Sequence, residues 1–173
     1  ANTYTVTYNA GSGSGTEYSV SAAYLEDVIV PTFSDSGFTP AEGHEFSYWS
    51  DRADGTGTVY AENEELYVEG DITLYAQYGA LNYTVRYSCY LNTYEEAAVY
   101  GEQHQLMDAA VEAPEGYYLA AWKSGSNSYI PGGTAEIKGD LNLTADYQPI
   151  TYSITYDGLE DATFGGDQTN PNP

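Results

Sequence analysis

Basic residues are almost missing from this sequence. Lys and Arg number 4 against 26 Asp and Glu, for a formal net charge of −22 over 173 residues. So few cations argue against a nucleic-acid partner, which is normally gripped by Lys and Arg set against phosphates. Anionic membrane surfaces are disfavoured by the same sign argument. Cys occurs once, as Cys89, which excludes an internal disulfide and a cysteine-rich zinc site. That residue is expected to be small and buried or semi-buried; a disulfide-linked dimer through it is the alternative to a monomer, which is the expected state. No apolar run approaches the roughly 20 residues that span a bilayer, so no direct membrane insertion is expected. The chain starts at Ala1 without a signal-peptide pattern and ends in the polar run Asp167 to Pro173. Both ends read as cut from something longer, with any targeting signals removed.

What is present is aromatic and repetitive. Tyr numbers 20 and hydrophobic residues make up 42% of the chain, which separates it from disordered acidic sequences. Tyr4-Thr5-Val6-Thr7-Tyr8 returns as Tyr83-Thr84-Val85-Arg86-Tyr87, 79 positions on, and again as Tyr152-Ser153-Ile154-Thr155-Tyr156. Gly43-His44-Glu45-Phe46-Ser47-Tyr48-Trp49 matches the stretch Gly116 to Trp122, 73 positions on. Gly70-Asp71-Ile72-Thr73-Leu74-Tyr75-Ala76-Gln77-Tyr78 matches the stretch Gly139 to Tyr147, 69 positions on. The shrinking offset places all length changes between the blocks, as expected for homologous units that differ in their loops.

The chain therefore divides into a first repeat over 1–79, a second over 80–149 and the truncated start of a third over 150–173. The last piece is too short for its own core, since chains below about 40 residues rarely fold unaided. It is expected to be largely disordered, or to lend its strand to a neighbour. Each piece is acidic: 13 acids and 1 base in the first, 9 and 3 in the second, 4 and 0 in the third. No basic face is hidden by averaging.

Tyr4, Val6 and Tyr8 alternate with Thr5 and Thr7, the pattern of a half-buried strand. Ile72, Leu74, Ala76 and Tyr78 alternate likewise after the turn at Gly70-Asp71. In the middle block Phe46 and Trp49 differ in parity, so a bulge between them is needed to return Trp49 to the core. Asp54-Gly55-Thr56-Gly57 reads as a hairpin turn. Tyr18-Ser19-Val20 and Val28-Ile29-Val30 read as short strands. Leu106 to Val111 is short enough to be either helix or strand. Each unit is thus expected to be mainly β, with four to six short strands and at most one short helix.

In this order the blocks resemble the Listeria–Bacteroides repeat, also called the internalin-type B-repeat: Tyr4 to Tyr8, Gly43/Phe46/Trp49, Asp54 to Tyr60, and Gly70 to Tyr78. The second repeat keeps Gly116 and Trp122, with Leu119 at the Phe position. The resemblance implies small β-grasp, ubiquitin-like units strung in tandem and elongated, on secreted or wall-anchored bacterial surface proteins. It implies spacer and adhesive modules and no catalytic residues to carry over.

The candidate sites have plain structural readings beside them. Trp49 and Trp122 could be sugar-stacking platforms, but one large aromatic per unit at equivalent positions fits a small core better. Tyr48, Tyr75, Tyr117 and Tyr118 are the candidate ligand surface, since so many Tyr cannot all be buried and exposed Tyr suits adaptable recognition. Asp51, Asp54 and the Glu62-Asn63-Glu64-Glu65 run suggest calcium, yet their spacing misses the alternate-acid loop, and a solvated acidic hairpin explains them. Gly11-Ser12-Gly13-Ser14-Gly15 lacks the Lys of a phosphate loop and reads as a flexible connection. His44 and His104 do not align between repeats, which argues against a shared zinc site.

Two functions remain. One is a stalk or spacer on an extracellular, surface-attached protein; the other is an adhesive module for host glycans or surface proteins. An enzyme and a resident cofactor are not expected. Tyr residues scattered over both repeats would favour the spacer, and Tyr residues converging in one concavity would favour the binder.

Overall fold

The computed structural model describes residues 2–154. The alternating Tyr4 to Tyr8 block forms β1 (Thr3–Asn9), whose Val6 and Tyr8 point into a core. It runs antiparallel to β2 (Tyr18–Ala23), joined through the Gly-Ser loop. Next come β3 (Asp27–Ile29), the single helical turn α1 (Phe33–Ser36), β4 (His44–Ser50), β5 (Val59–Tyr60), β6 (Glu65–Tyr67) and β7 (Ile72–Ala80). The main sheet has the order β2-β1-β7-β4-β5, with β1 and β7 parallel at its centre. That mixed order is the β-grasp arrangement. β3 and β6 pair separately as a two-stranded ribbon.

The second unit repeats the plan through β8 (Asn82–Ser88), β9 (Thr93–Val99), β10 (Gln103–Gln105), β11 (Tyr117–Ser124), β12 (Asn127–Tyr129), β13 (Thr134–Glu136) and β14 (Leu141–Pro149). Its sheet order is β12-β11-β14-β8-β9, again with parallel central strands, and β10 pairs with β13. Asp71 explains how the parallel pair is started. Its Oδ1 accepts the Thr5 N–H at 2.8 Å, and Asp140 accepts the Thr84 N–H at 2.9 Å.

The expected bulge is present in both units, between Phe46 and Tyr48 and between Leu119 and Ala121. It turns Trp49 and Trp122 inward, where both are fully buried. Each indole lies opposite an alanine on the neighbouring strand, Ala76 or Ala145, which leaves room for the ring. Each meets a buried tyrosine edge-on: Tyr8 at 5.6 Å and Tyr87 at 5.0 Å. Each indole N–H donates to a carbonyl of the crossover segment, that of Pro31 at 3.2 Å or Met107 at 2.9 Å. The two cores share no residue.

The helix falls in the first unit, not in the second. Thr32 caps α1 by accepting the Asp35 N–H, and Gly37 closes it in the left-handed region. Phe33 anchors the turn by stacking on Phe46 at 4.7 Å. The stretch Leu106 to Val111 in the second unit is neither helix nor strand: irregular chain leads into a turn at Ala109 and Ala110. Two changes account for this. Pro31 to Gly43 spans 13 residues, whereas Met107 to Gly116 spans 10. The stacking pair is also replaced, by Ala109 and Leu119. In the truncated third repeat, Thr151 to Ile154 carry no strand, and the remainder, 155–173, lies outside the described residues.

Trp49→Ala should cost about 3–5 kcal/mol, on the scale of a small domain's whole stability. Because the cores are separate, the first unit should unfold while the second survives. Chemical denaturation followed by the remaining Trp122 fluorescence should then show an unshifted transition. A loss of both units together would contradict separate cores.

Candidate functional site

The aromatic candidates fall at two places. Tyr48 and Tyr75 alternate with Trp49 and with Leu74 and Ala76, so both stand on the outer face of the first sheet. They lie diagonally across β4 and β7: Tyr48 stands opposite Gln77, and Tyr75 is two residues from Gln77 on the same face. The 52–55 turn folds over the same face; Gln77 Nε2 donates to the Arg52 carbonyl at 3.4 Å. The equivalent positions in the second unit are Ala121 and Thr144, so this aromatic face is not duplicated. Tyr117 and Tyr118 stand at the start of β11, opposite Pro149 and Gln148, and are 45% and 50% exposed. As neighbours on a strand they point to opposite faces. The four tyrosines therefore divide between the first sheet and the far end of the second.

The acidic candidates spend their oxygens on the backbone. Asp51 Oδ1 accepts the Thr58 N–H at 2.8 Å. Asp54 Oδ1 accepts both the hydroxyl and the N–H of Thr56, and the hydroxyl bond leads in holding this carboxyl below the usual range. Glu62 accepts the Phe33 N–H, and Glu64 accepts the Ala61 N–H at 2.6 Å. Among the described residues, no three His, Cys, Asp or Glu side chains are grouped to hold a metal ion.

A polar network unanticipated from the sequence lies beside the second core. Buried His104 has Nε2 at 2.9 Å from Glu96 and Nδ1 at 3.3 Å from Glu102. Tyr87 donates its hydroxyl to Glu96 at 3.0 Å and accepts the Met107 N–H at 3.4 Å. The Val99 N–H, with His104 behind it, holds the Glu102 carboxyl low. In the first unit the matching positions are Tyr8, Val20 and Val28, and the buried Tyr8 hydroxyl has no hydrogen-bond partner among the described residues. Nearby, where the first unit carries its helix, the second has an open groove of about 370 Å³ lined by Tyr94, Met107, Asp108, Ala110, Val111 and Glu112.

The units meet at Leu81, the single residue between β7 and β8. Its N–H donates to the Gly43 carbonyl of the first unit at 2.8 Å, and its carbonyl accepts the Tyr100 N–H of the second at 2.9 Å. The Tyr100 ring packs directly on Gly43: a Cβ there would lie 2.1 Å from ring carbons. His44 meets the same ring edge-on at 6.1 Å. Desolvation, and then the Glu42 carboxylate beside it, push the Tyr100 phenol up. Lys138 of the second unit is held up chiefly by Glu136, with Glu42 of the first adding to the effect.

Residues 4–77 match the family model of the Listeria-Bacteroides repeat domain, so the first unit is a repeat of that family. Residues 82–149 carry the same strand order and the same buried Tyr–Trp pair. A search of curated proteins returns no match.

The two buried tyrosines should respond oppositely to loss of the hydroxyl. Tyr8→Phe removes an unpaired buried hydroxyl and should stabilise the first unit by about 1 kcal/mol, whereas Tyr87→Phe should destabilise the second by about 1 kcal/mol. Denaturation of the two variants checks the signs. Burial, and then Tyr18, push Tyr8 from 10.0 up to about 12. Its neutral phenol therefore favours the folded state fully below pH 10.0, and that contribution fades as pH rises towards about 12. Tyr8→Phe should blunt the alkaline loss of stability of the first unit, read by denaturation at increasing pH; an unchanged pH profile would contradict it.

Proposed function

Taking the first unit as a Listeria-Bacteroides repeat, we propose that this segment is a stalk on an extracellular, surface-attached bacterial protein. It would hold other parts of that protein away from the cell. The carrying observation is the joint at Leu81. A one-residue connection, bonded on both sides and covered by Tyr100, restricts bending between units more than a Gly/Ser linker would. The net charge of −22 would keep neighbouring stalks apart and soluble. The family is one of bacterial surface-protein repeats, which supports the location. No catalytic role is proposed.

A second reading has its own observation. Tyr48, Tyr75 and Gln77 share one outer face, which could stack on and hydrogen-bond a host glycan or surface protein. Tyr117 and Tyr118 would serve a separate contact. Calcium could bridge acidic side chains to an anionic ligand.

Binding of the full chain to mucins, host glycans and matrix proteins, with and without calcium, separates the readings. The stalk predicts no saturable binding in either condition. Saturable binding that Tyr48→Ala or Tyr75→Ala weakens at least tenfold would make the segment an adhesive module.

A further inference from the structure

The two outer ends of the described pair of units each carry one half of the Leu81 joint, already folded. At the far end of the second unit, the Ile150 N–H donates to the Gly116 carbonyl at 2.7 Å, the counterpart of the Leu81–Gly43 bond at 2.8 Å. Gly116 sits at φ +78°, Gly43 at φ +72°. Each is the third residue of the same tight turn, closed by Tyr117 N–H to the Pro114 carbonyl or His44 N–H to that of Ala41. Such a turn needs a left-handed third residue, which favours Gly. The difference lies in what covers the glycine. The Tyr100 ring lies against Gly43, whereas among the described residues nothing lies within 4 Å of a Cβ built on Gly116. Glu115 and Tyr117 flank it where Glu42 and His44 flank Gly43.

The leading end of the first unit carries the other half. The Tyr24 N–H donates to the Asn2 carbonyl at 3.0 Å, as Tyr100 donates to that of Leu81 at 2.9 Å. The turn that presents each ring is the same. Glu26 N–H bonds the Ala23 carbonyl and Glu102 N–H that of Val99, and each of these Glu carboxylates accepts the N–H at the turn's first residue. The following residue has positive φ in both, Leu25 at 64° and Gly101 at 79°. Tyr24 is 51% exposed, and its ring lies 6.1 Å from that of Tyr4. A joint whose two faces differ, and whose faces recur on every unit, propagates as an open head-to-tail series.

We infer that Gly116 and Ile150 are a docking face for a further repeat unit, which lays its Tyr100-equivalent ring on Gly116, and that Tyr24 is the matching ring offered to the glycine of a preceding unit. The partner is another copy of this same kind of unit joined in series. A unit like the second fits best, because its Tyr100 ring is the one that covers Gly43 here. This deepens the stalk reading and rests on it for the presence of units in series.

Proton NMR of three chains tests the inference: the full chain; a longer chain in which residues 1–150 are followed by a second copy of residues 82–149; and that longer chain with Tyr100→Ala in the added copy alone. In the full chain the Gly43 α-protons should show a ring-current shift and those of Gly116 should not. In the longer chain the Gly116 α-protons should acquire a shift of the Gly43 kind. The Tyr100→Ala copy should abolish that shift while leaving Gly43 and the folded signals of all three units unchanged. Gly116 resonances that stay the same in all three chains overturn the docking face. An unshifted Gly43 overturns the joint itself. Both failures leave a loosely linked stalk standing. Docked units in a chain that nevertheless binds a host ligand saturably would remove the stalk reading and keep the joint.

Discussion

Each unit depends on one buried indole placed by a strand irregularity. The bulge after Phe46 or Leu119 changes the parity of the strand and sends Trp49 or Trp122 inward. The ring then fills the space over Ala76 or Ala145, meets a tyrosine edge-on and ties the crossover to the sheet through its N–H. The N–H bond matters as much as the area. A buried donor without an acceptor would be costly, and here its acceptor is a carbonyl of irregular chain that would otherwise need one. One side chain thus closes the core and fixes the connection above it, which is how units of about 70 residues can fold with only a four-residue helix in the first and no helix in the second.

Around that shared centre the two units diverge in their polar chemistry. The first keeps apolar neighbours beside Tyr8 and leaves its hydroxyl unpaired. The second substitutes Glu96 and His104 at the Val20 and Val28 positions and pairs the Tyr87 hydroxyl. The helix is exchanged in the same way: Phe33 covers one core, while a shorter connection leaves a groove beside the other. The Trp centre accompanies both solutions: the bulge, the facing alanine and the edge-on tyrosine are the same in the two units.

At Leu81 both backbone hydrogen-bonding groups of one residue are used, one towards each unit. The contact is small and depends on the absence of a side chain at Gly43, since any Cβ would occupy the place of the Tyr100 ring. Its positive φ already favours glycine, so steric room and backbone conformation select the same residue. The connection is defined by local turns that every unit carries, which makes it independent of how many units are joined.

Alternation at Tyr4–Tyr8 and Ile72–Tyr78 placed the central strands, and the parity conflict between Phe46 and Trp49 placed the bulge, because strand faces are set by residue period alone. The repeated blocks placed both units for the same reason. Local pattern did not reveal the helix at Phe33, whose anchor is a stacking partner on another strand, nor the absence of one at Leu106 to Val111. Tyr87, Glu96 and His104 sit on three strands and meet only when those strands pack. Gly43 was visible in the sequence as half of an aligned pair with Gly116, but the ring that covers it was not marked by any repeated block. The sequence by itself determined the repeat, the strand faces and the indole core, because these follow from spacing along one chain. The tertiary structure alone decided which polar groups meet and how one unit sits on the next, because those contacts join residues whose separation in sequence carries no period.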